Sequence, residues 1–428
     1  MNPFNQSISR RGALQQAACG FGSLALAGLC ADSVRAANPI AAKSTHHRPR
    51  AKRIIFLFMQ GGPSHVDTFD YKPALYENDG KKMIFDDART IAKTGKSNTS
   101  ELVMKPMWKY RRYGESGRWA SDLFRETAKH SDDLTFIHSM HSEGVAHGPA
   151  TLFLHCGSTN FIRPSLGSWV SYGLGTENEN LPGFVSLAPL TSSGGARNFG
   201  SAFLPAAHQG TPIRKNDTIR NLKNADLSKN EQLRQLNFMQ RLNAEQLKSV
   251  NQDSELEALI SSYELAWRMQ SNAPGVLDLS QETQGTKAMY GIGDKETDYF
   301  GRQCLMARRL IESGVRFVQV NLGGWDTHQD NFNRVRTLAQ VLDPGLSSLI
   351  RDLRERGLLD STLVCCMGEF GRAPLVARER SVAGISPGRK HWAAAYSIVL
   401  AGAGVRPGAV YGATDRLAAY PRTEPVTP

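Results

Sequence analysis

Two strings in this sequence set an aspartate and a histidine two positions apart, close enough for both side chains to reach one ion: His65-Val66-Asp67 and Asp326-Thr327-His328. Hard carboxylate oxygen beside borderline imidazole nitrogen is the mixture that Zn²⁺ or Mn²⁺ accepts. Each string follows glycines, in Gln60-Gly61-Gly62-Pro63-Ser64-His65-Val66-Asp67 and in Gly323-Gly324-Trp325-Asp326-Thr327-His328, and glycine lets a backbone or ligand approach closely. Both strings also have a plain structural reading. The first fits a tight turn with Asp70 capping the next element, and in the second Asp326 fits the N-cap of the next helix with His328 in its first turn.

Three further strings carry chemistry. In Gly368-Glu369-Phe370-Gly371-Arg372, Glu369 can bind a metal and Arg372 can clamp an anionic oxygen bidentately, or the two can be an ordinary surface pair. In Gly388-Arg389-Lys390-His391-Trp392, His391 can be a ligand or can hydrogen-bond a substrate oxygen. His138, His141 and His147 precede an apolar helical pattern through Leu152, Phe153 and Leu154, where a helix N-terminus offers free N–H groups to phosphate or sulfate; a loop that merely caps the helix is the alternative. No Walker loop or dinucleotide fingerprint is present, which argues against NTPases and NAD enzymes.

The elements that must position these residues can be read from apolar patterning. Residues 52–59, 134–139, 315–320, 361–367 and 396–401 read as strands, and each opens onto a Gly- or His-rich loop. Residues 119–130, 301–313 and 334–356 read as helices between them. Such alternation predicts an α/β fold with a doubly wound, mostly parallel sheet, whose ligands bind beyond the carboxyl ends of the strands. The stretch from about 206 to 296 is rich in Asn, Gln, Lys and Glu with helical spacing, which predicts a helical insertion into one domain spanning 54–428.

Ser9-Arg10-Arg11-Gly12 precedes a weakly apolar Ala/Gly/Leu run over 17–31 and the small residues Val34, Ala36 and Ala37. This predicts a twin-arginine signal peptide over 1–37, a basic linker over 38–53, and a mature protein exported to the periplasm or secreted, with no membrane span. Of the formal charge of +11, the first 53 residues supply +7, from eight Lys or Arg against Asp32 alone. The remainder shows no aromatic-interleaved basic cluster, so nucleic acid is excluded as a partner. Cys156, Cys304, Cys365 and Cys366 remain after the signal; an exported protein can pair cysteines, but buried free thiols are the favoured reading.

Taken together, the twin-arginine leader and the strings from Phe58 to Asp70, His147-Gly148-Pro149-Ala150, Arg163-Pro164-Ser165-Leu166-Gly167-Ser168-Trp169, Gly324 to His328, Gly368 to Arg372 and Gly388 to Trp392 resemble the exported domain-of-unknown-function family numbered fifteen-oh-one. That resemblance implies membership of the alkaline phosphatase and sulfatase superfamily, with one or two divalent ions at the strand ends. It also exposes departures. Gln60 stands where the first strand normally ends in a metal-binding Asp, Glu369 replaces another Asp, Phe370 replaces a ligand, and His147 occupies the nucleophile position. His147 then acts as a nucleophile or, as we prefer, as a replacement ligand. On that view Asp326, His328, Glu369, His391 and His147 surround one Zn, Mn or Ca ion, with Asp67 or His65 nearby and Arg372 or Arg389 facing an anionic small-molecule or glycan ester. The competing reading is a catalytically silent relative that binds an anionic glycan or a protein partner. Relatives continue into another helix beyond Tyr411-Gly412-Ala413-Thr414-Asp415, so the C-terminus at Pro428 is expected to be truncated.

Overall fold

The computed structural model describes residues 40–86, 98–214, 219, 226–249, 254–377 and 386–428. The signal peptide expected over 1–37 lies outside the described residues.

Eight strands form the central sheet: β1 Arg53–Phe58, β2 Leu134–Met140, β3 Phe184–Leu187, β4 Thr211–Ile213, β5 Phe317–Asn321, β6 Thr362–Met367, β7 Tyr396–Gly402 and β8 Val410–Tyr411. Their spatial order is β8-β2-β7-β6-β1-β5-β3-β4, with β1 paired in parallel to both β6 and β5. Only β7 runs against the others, antiparallel to both β6 and β2. An α/β fold on a mostly parallel sheet is therefore what the chain adopts.

The continuous apolar run of β1 reflects burial on both faces. Ile55, Leu57 and Met59 join Val318, Val320 and Val364 on one side, under helices α5 Asp298–Glu312 and α6 Asn331–Glu355 through Leu305, Leu310, Leu346 and Leu349. Phe56 and Phe58 point the other way, with Phe317 and Met367, toward Leu154 of α1 His147–Cys156 and Val170 of α2 Leu166–Leu174. This alternation is the period of two that a strand imposes, and it fixes the register.

The stretch after residue 206 contains two long helices, α3 Lys229–Ser249 and α4 Ser254–Leu277. It also contributes β4 to the edge of the main sheet, beside β3. Residues 119–130 depart from the helix expected there. Arg118–Ser121 is a strand paired with Tyr110–Tyr113, and only Asp122–Phe124 and Arg125–Ala128 are helical. Cross-strand pairing with Tyr110–Tyr113 takes up the first residues of that apolar pattern before a helix can form. Cys156, Cys304, Cys365 and Cys366 are free thiols. No helix among the described residues is long and apolar enough to cross a membrane.

Candidate metal centre

The carboxyl ends of β1, β2, β5 and β6 lie along one edge of the sheet, and the loops leaving them meet there with the segment that leads into β7. The β1 loop comes closest. Gly61 has φ +119°, and a Cβ on it would lie 2.3 Å from the Asp326 backbone nitrogen, so the first loop can touch the β5 loop only with glycine at this position. Its N–H donates to both Glu369 carboxylate oxygens, at 3.0 and 3.1 Å.

Glu369, fully buried at the end of β6, also takes a hydrogen bond of 2.6 Å from His147 Nδ1. That contact turns His147 Nε2 toward Asp326 Oδ2, 3.2 Å away. His147 is the first residue of α1, so the loop after β2 and the helix it enters set its position. Burial pulls its pKa down, but the hydrogen bonds to Asp326 and Glu369 outweigh that and raise it to about 9.

Asp326 is the hub. His328 Nε2 and His391 Nε2 lie 3.1 and 3.2 Å from Asp326 Oδ1, and 2.8 Å from each other. Arg372 Nη2 reaches the same oxygen at 2.6 Å. Burial alone would raise the pKa of Asp326, but the three imidazoles and the Arg372 charge hold it well below the usual carboxylate range. His391 moves down instead, first through burial and then through the nearby positive charges, against the pull of Asp326. Phe370, fully buried, lines this cluster with its ring centroid 5.0 Å from that of His147 and 4.8 Å from that of His391.

The ribbon that delivers His391, Arg389–Trp392, pairs antiparallel with Gly371–Val376, setting His391 opposite Arg372. Gly388 lets this ribbon press on the β5 loop, since a Cβ there would lie 2.1 Å from the Thr327 carbonyl oxygen.

These donors fit a divalent ion. His147, Asp326 and His391 offer ligand atoms within 4.8 Å of one another, and His328 Nε2, outside that group of three, lies 3.1 Å from Asp326 Oδ1. Ligands at 2.0–2.1 Å in a tetrahedron lie roughly 3.3 Å apart. The His328 and His391 contacts of 3.1 and 3.2 Å with Asp326 Oδ1 match that spacing, the His147 contact of 3.2 Å is with the other oxygen, Oδ2, and the His328–His391 pair needs to open by about half an ångström.

The other expected residues are placed elsewhere. Asp67, fully buried in the short helix His65–Thr68, is bound by Arg389 Nε at 2.7 Å and Arg389 Nη2 at 3.0 Å, by Ser64 Oγ at 2.6 Å and by Asn331 Nδ2 at 3.3 Å. His65 Nε2 donates to the Ala418 carbonyl at 2.8 Å. Arg389 is fully buried and gives its remaining N–H groups to the Met104, Ala373 and Lys105 carbonyls, so it does not face a substrate. Arg372 is equally buried and spends its guanidinium on the Gly61, Gly62, Trp325 and Arg389 carbonyls as well as Asp326. It positions a carboxylate and has no fork left for an anion. Glu369 orients His147 and lies outside the three-residue metal group.

The plain readings are also decided. The helix after the β5 loop begins at Asn331, so Asp326 does not cap it. Glu369 and Arg372, both buried, are no surface pair. His138 lies in β2 with Nδ1 2.8 Å from Ser397 Oγ, away from the cluster. Sequence reasoning missed the Gly61 N–H as a carboxylate donor and the position of Arg334 beside the β5 loop; the Gly61-Gly62 pair at a strand end was the available signal for the first.

Residues 51–428 match the family described as "Protein of unknown function (DUF1501)". Among solved structures, the chain is similar to the alkaline phosphatase of the Antarctic bacterium TAB5, at 10% identity and a TM-score of 0.34, over 87% of this chain and 97% of that one. It is also similar to a sulfatase from a Pseudoalteromonas species, at 12% identity and 0.33, over 87% and 66%. A third likeness is to the lipoteichoic acid synthase LtaP of Listeria monocytogenes, at 7% identity and 0.37, over 89% and 73%. No curated protein sequence matches it.

Proposed function

The chain belongs to the DUF1501 family, and from the site it carries we propose that it is a metal-dependent hydrolase of the alkaline phosphatase and sulfatase type, acting on sulfate or phosphate esters. The observation that carries this reading is the convergence of His147, His328 and His391 Nε2 on the Asp326 carboxylate, at the carboxyl edge of the sheet. An imidazole-rich set of this kind suits Zn²⁺ or Mn²⁺ better than Ca²⁺, which prefers oxygen ligands.

A divalent ion held by His147, Asp326 and His391 would supply Lewis-acid polarisation of an ester oxygen and would lower the pKa of a water. The chain supplies the rest. Glu369 fixes the tautomer and direction of His147, and Arg372 holds Asp326 among the imidazoles. Phe370 excludes water from one side of the ring cluster.

One observation favours a second reading, a silent relative that binds an anionic glycan or a protein. Arg372 and Arg389 are both committed to backbone carbonyls and carboxylates, so neither is free for a substrate anion. Export through the twin-arginine route belongs to the proposal too; it is carried by Arg10, Arg11 and the apolar run after them. A reporter fused to residues 1–37 that stays cytoplasmic would exclude it.

Metal content by plasma mass spectrometry, on wild type and on the Asp326→Ala, His328→Ala double variant, tests the central claim. Near-stoichiometric Zn or Mn, lost in the variant along with turnover of aryl sulfates or phosphates, supports the hydrolase. Absence of metal in both would reject the mechanism and leave the binding protein in front.

A further inference from the structure

With Arg372 and Arg389 occupied, the site needs another cation if it is to recognise an anionic ester. Lys390 is paired with Glu101 at 3.2 Å. Arg334, in the first turn of α6, differs from all three. It is half-buried, and its guanidinium makes one long hydrogen bond, 3.4 Å from Nη2 to the Gly324 carbonyl. Gly324 precedes Asp326 by two residues, which sets this guanidinium on the rim of the loop carrying the central carboxylate. Its charge also reaches Arg372, where burial, Asp326 and Glu369 all have larger effects. Its neighbour four residues on, Leu338, packs 3.4 Å from where a Gly324 Cβ would stand, which fixes this face of α6 against the β5 loop.

A guanidinium has five N–H donors in a planar fork suited to two oxygens of a tetrahedral anion. One long bond to a carbonyl leaves most of that fork available. We propose that Arg334 is the anion-recognition residue of this site, binding the non-bridging oxygens of a sulfate or phosphate group beside the His147–Asp326–His328–His391 cluster. This rests on the hydrolase reading for the reaction that comes after binding; the recognition of the anion itself stands on Arg334.

The test is calorimetric titration of the full chain with inorganic phosphate and, separately, inorganic sulfate, with metal content measured on every sample. Arg334→Ala is expected to weaken binding about tenfold or more, with bound metal and thermal midpoint unchanged. Arg334→Lys should recover only part of the loss, because an ammonium lacks the fork. Arg351→Ala, which removes the same charge from an exposed site on the same helix, serves as control. Equal affinity in Arg334→Ala and wild type, an equal loss in Arg351→Ala, or no binding of either anion by wild type overturns the proposal. A wild type that takes up no metal yet binds an anion through Arg334 rejects the hydrolase and upholds the recognition residue.

Discussion

Glu369 Oε1 accepts the Nδ1 proton of His147 at 2.6 Å, and this one contact decides which edge of the imidazole faces Asp326. Partners of this kind behind metal-binding histidines change affinity by about 10- to 100-fold when removed. Glu369→Gln is therefore expected to weaken Zn²⁺ binding by that factor in a chelator competition. An unchanged affinity would remove Glu369 from its supporting role.

The same geometry makes metal binding release a proton. In the metal-free protein burial lowers the His147 pKa, yet the hydrogen bonds to Asp326 and Glu369 raise it to about 9, so the ring is an imidazolium at neutral pH. A ligand nitrogen must be bare. Calorimetry at pH 7 in two buffers of different ionisation heat is expected to show about one proton released from this residue, fading as the pH passes 9. No proton release at pH 7 would exclude His147 as a ligand.

Acid sensitivity of the fold has a separate origin in His155, which is 4% exposed. Burial lowers its pKa to about 4, against the opposing hydrogen bond to the Thr151 carbonyl at 2.8 Å. The unfolded chain therefore binds this proton more readily than the folded one. Stability is full above about pH 6.5, is lost as pH falls toward 4, and levels off below, by about 3 kcal/mol in total. His155→Gln should flatten urea midpoints measured between pH 6.5 and 4; an unaltered slope would assign the loss to other groups.

The Arg389–Asp67 pair is buried on both sides, so removing one partner strands a charge. Arg389→Met is expected to lower stability by about 3 to 5 kcal/mol. Adding Asp67→Asn should restore part of it, so that the double variant loses less than the two single losses combined. Additive losses in urea denaturation would show that the pair is not coupled.

Gly388→Ala tests the contact between the Arg389–Trp392 ribbon and the β5 loop. Its Cβ has no room beside the Thr327 carbonyl, so the ribbon must shift and carry His391 away from His328. A fall in metal affinity of about tenfold or more, with the protein still folded by circular dichroism, is expected. Wild-type affinity would mean that the ribbon is dispensable.

Much of this was legible because the signals were local. The apolar runs of β1, β2, β5, β6 and β7 mark buried strands, and the chemistry-bearing residues just beyond them at Asp326, Glu369 and His147 mark the carboxyl edge. What the sequence hid were partners far along the chain. Arg389 finds Asp67, and Arg372 finds the Gly61 and Gly62 carbonyls, across contacts that no spacing rule reveals. A backbone carbonyl carries no residue signature, so an arginine held by carbonyls looks in the sequence like one waiting for a substrate. Residues 119–130 failed for a related reason, since the partner strand Tyr110–Tyr113 decides whether that apolar pattern becomes a strand or a helix.

The order in which the ligands occur along the chain has a biosynthetic consequence. His147 comes from the segment after β2, Asp326 and His328 from the loop after β5, and His391 from the ribbon before β7, so a nascent chain lacks a complete donor set until position 391 has been made and folded back. Contacts of such long sequence separation form late. Capture of an ion at this cluster would then be among the last events of maturation, and occupancy would report a finished fold.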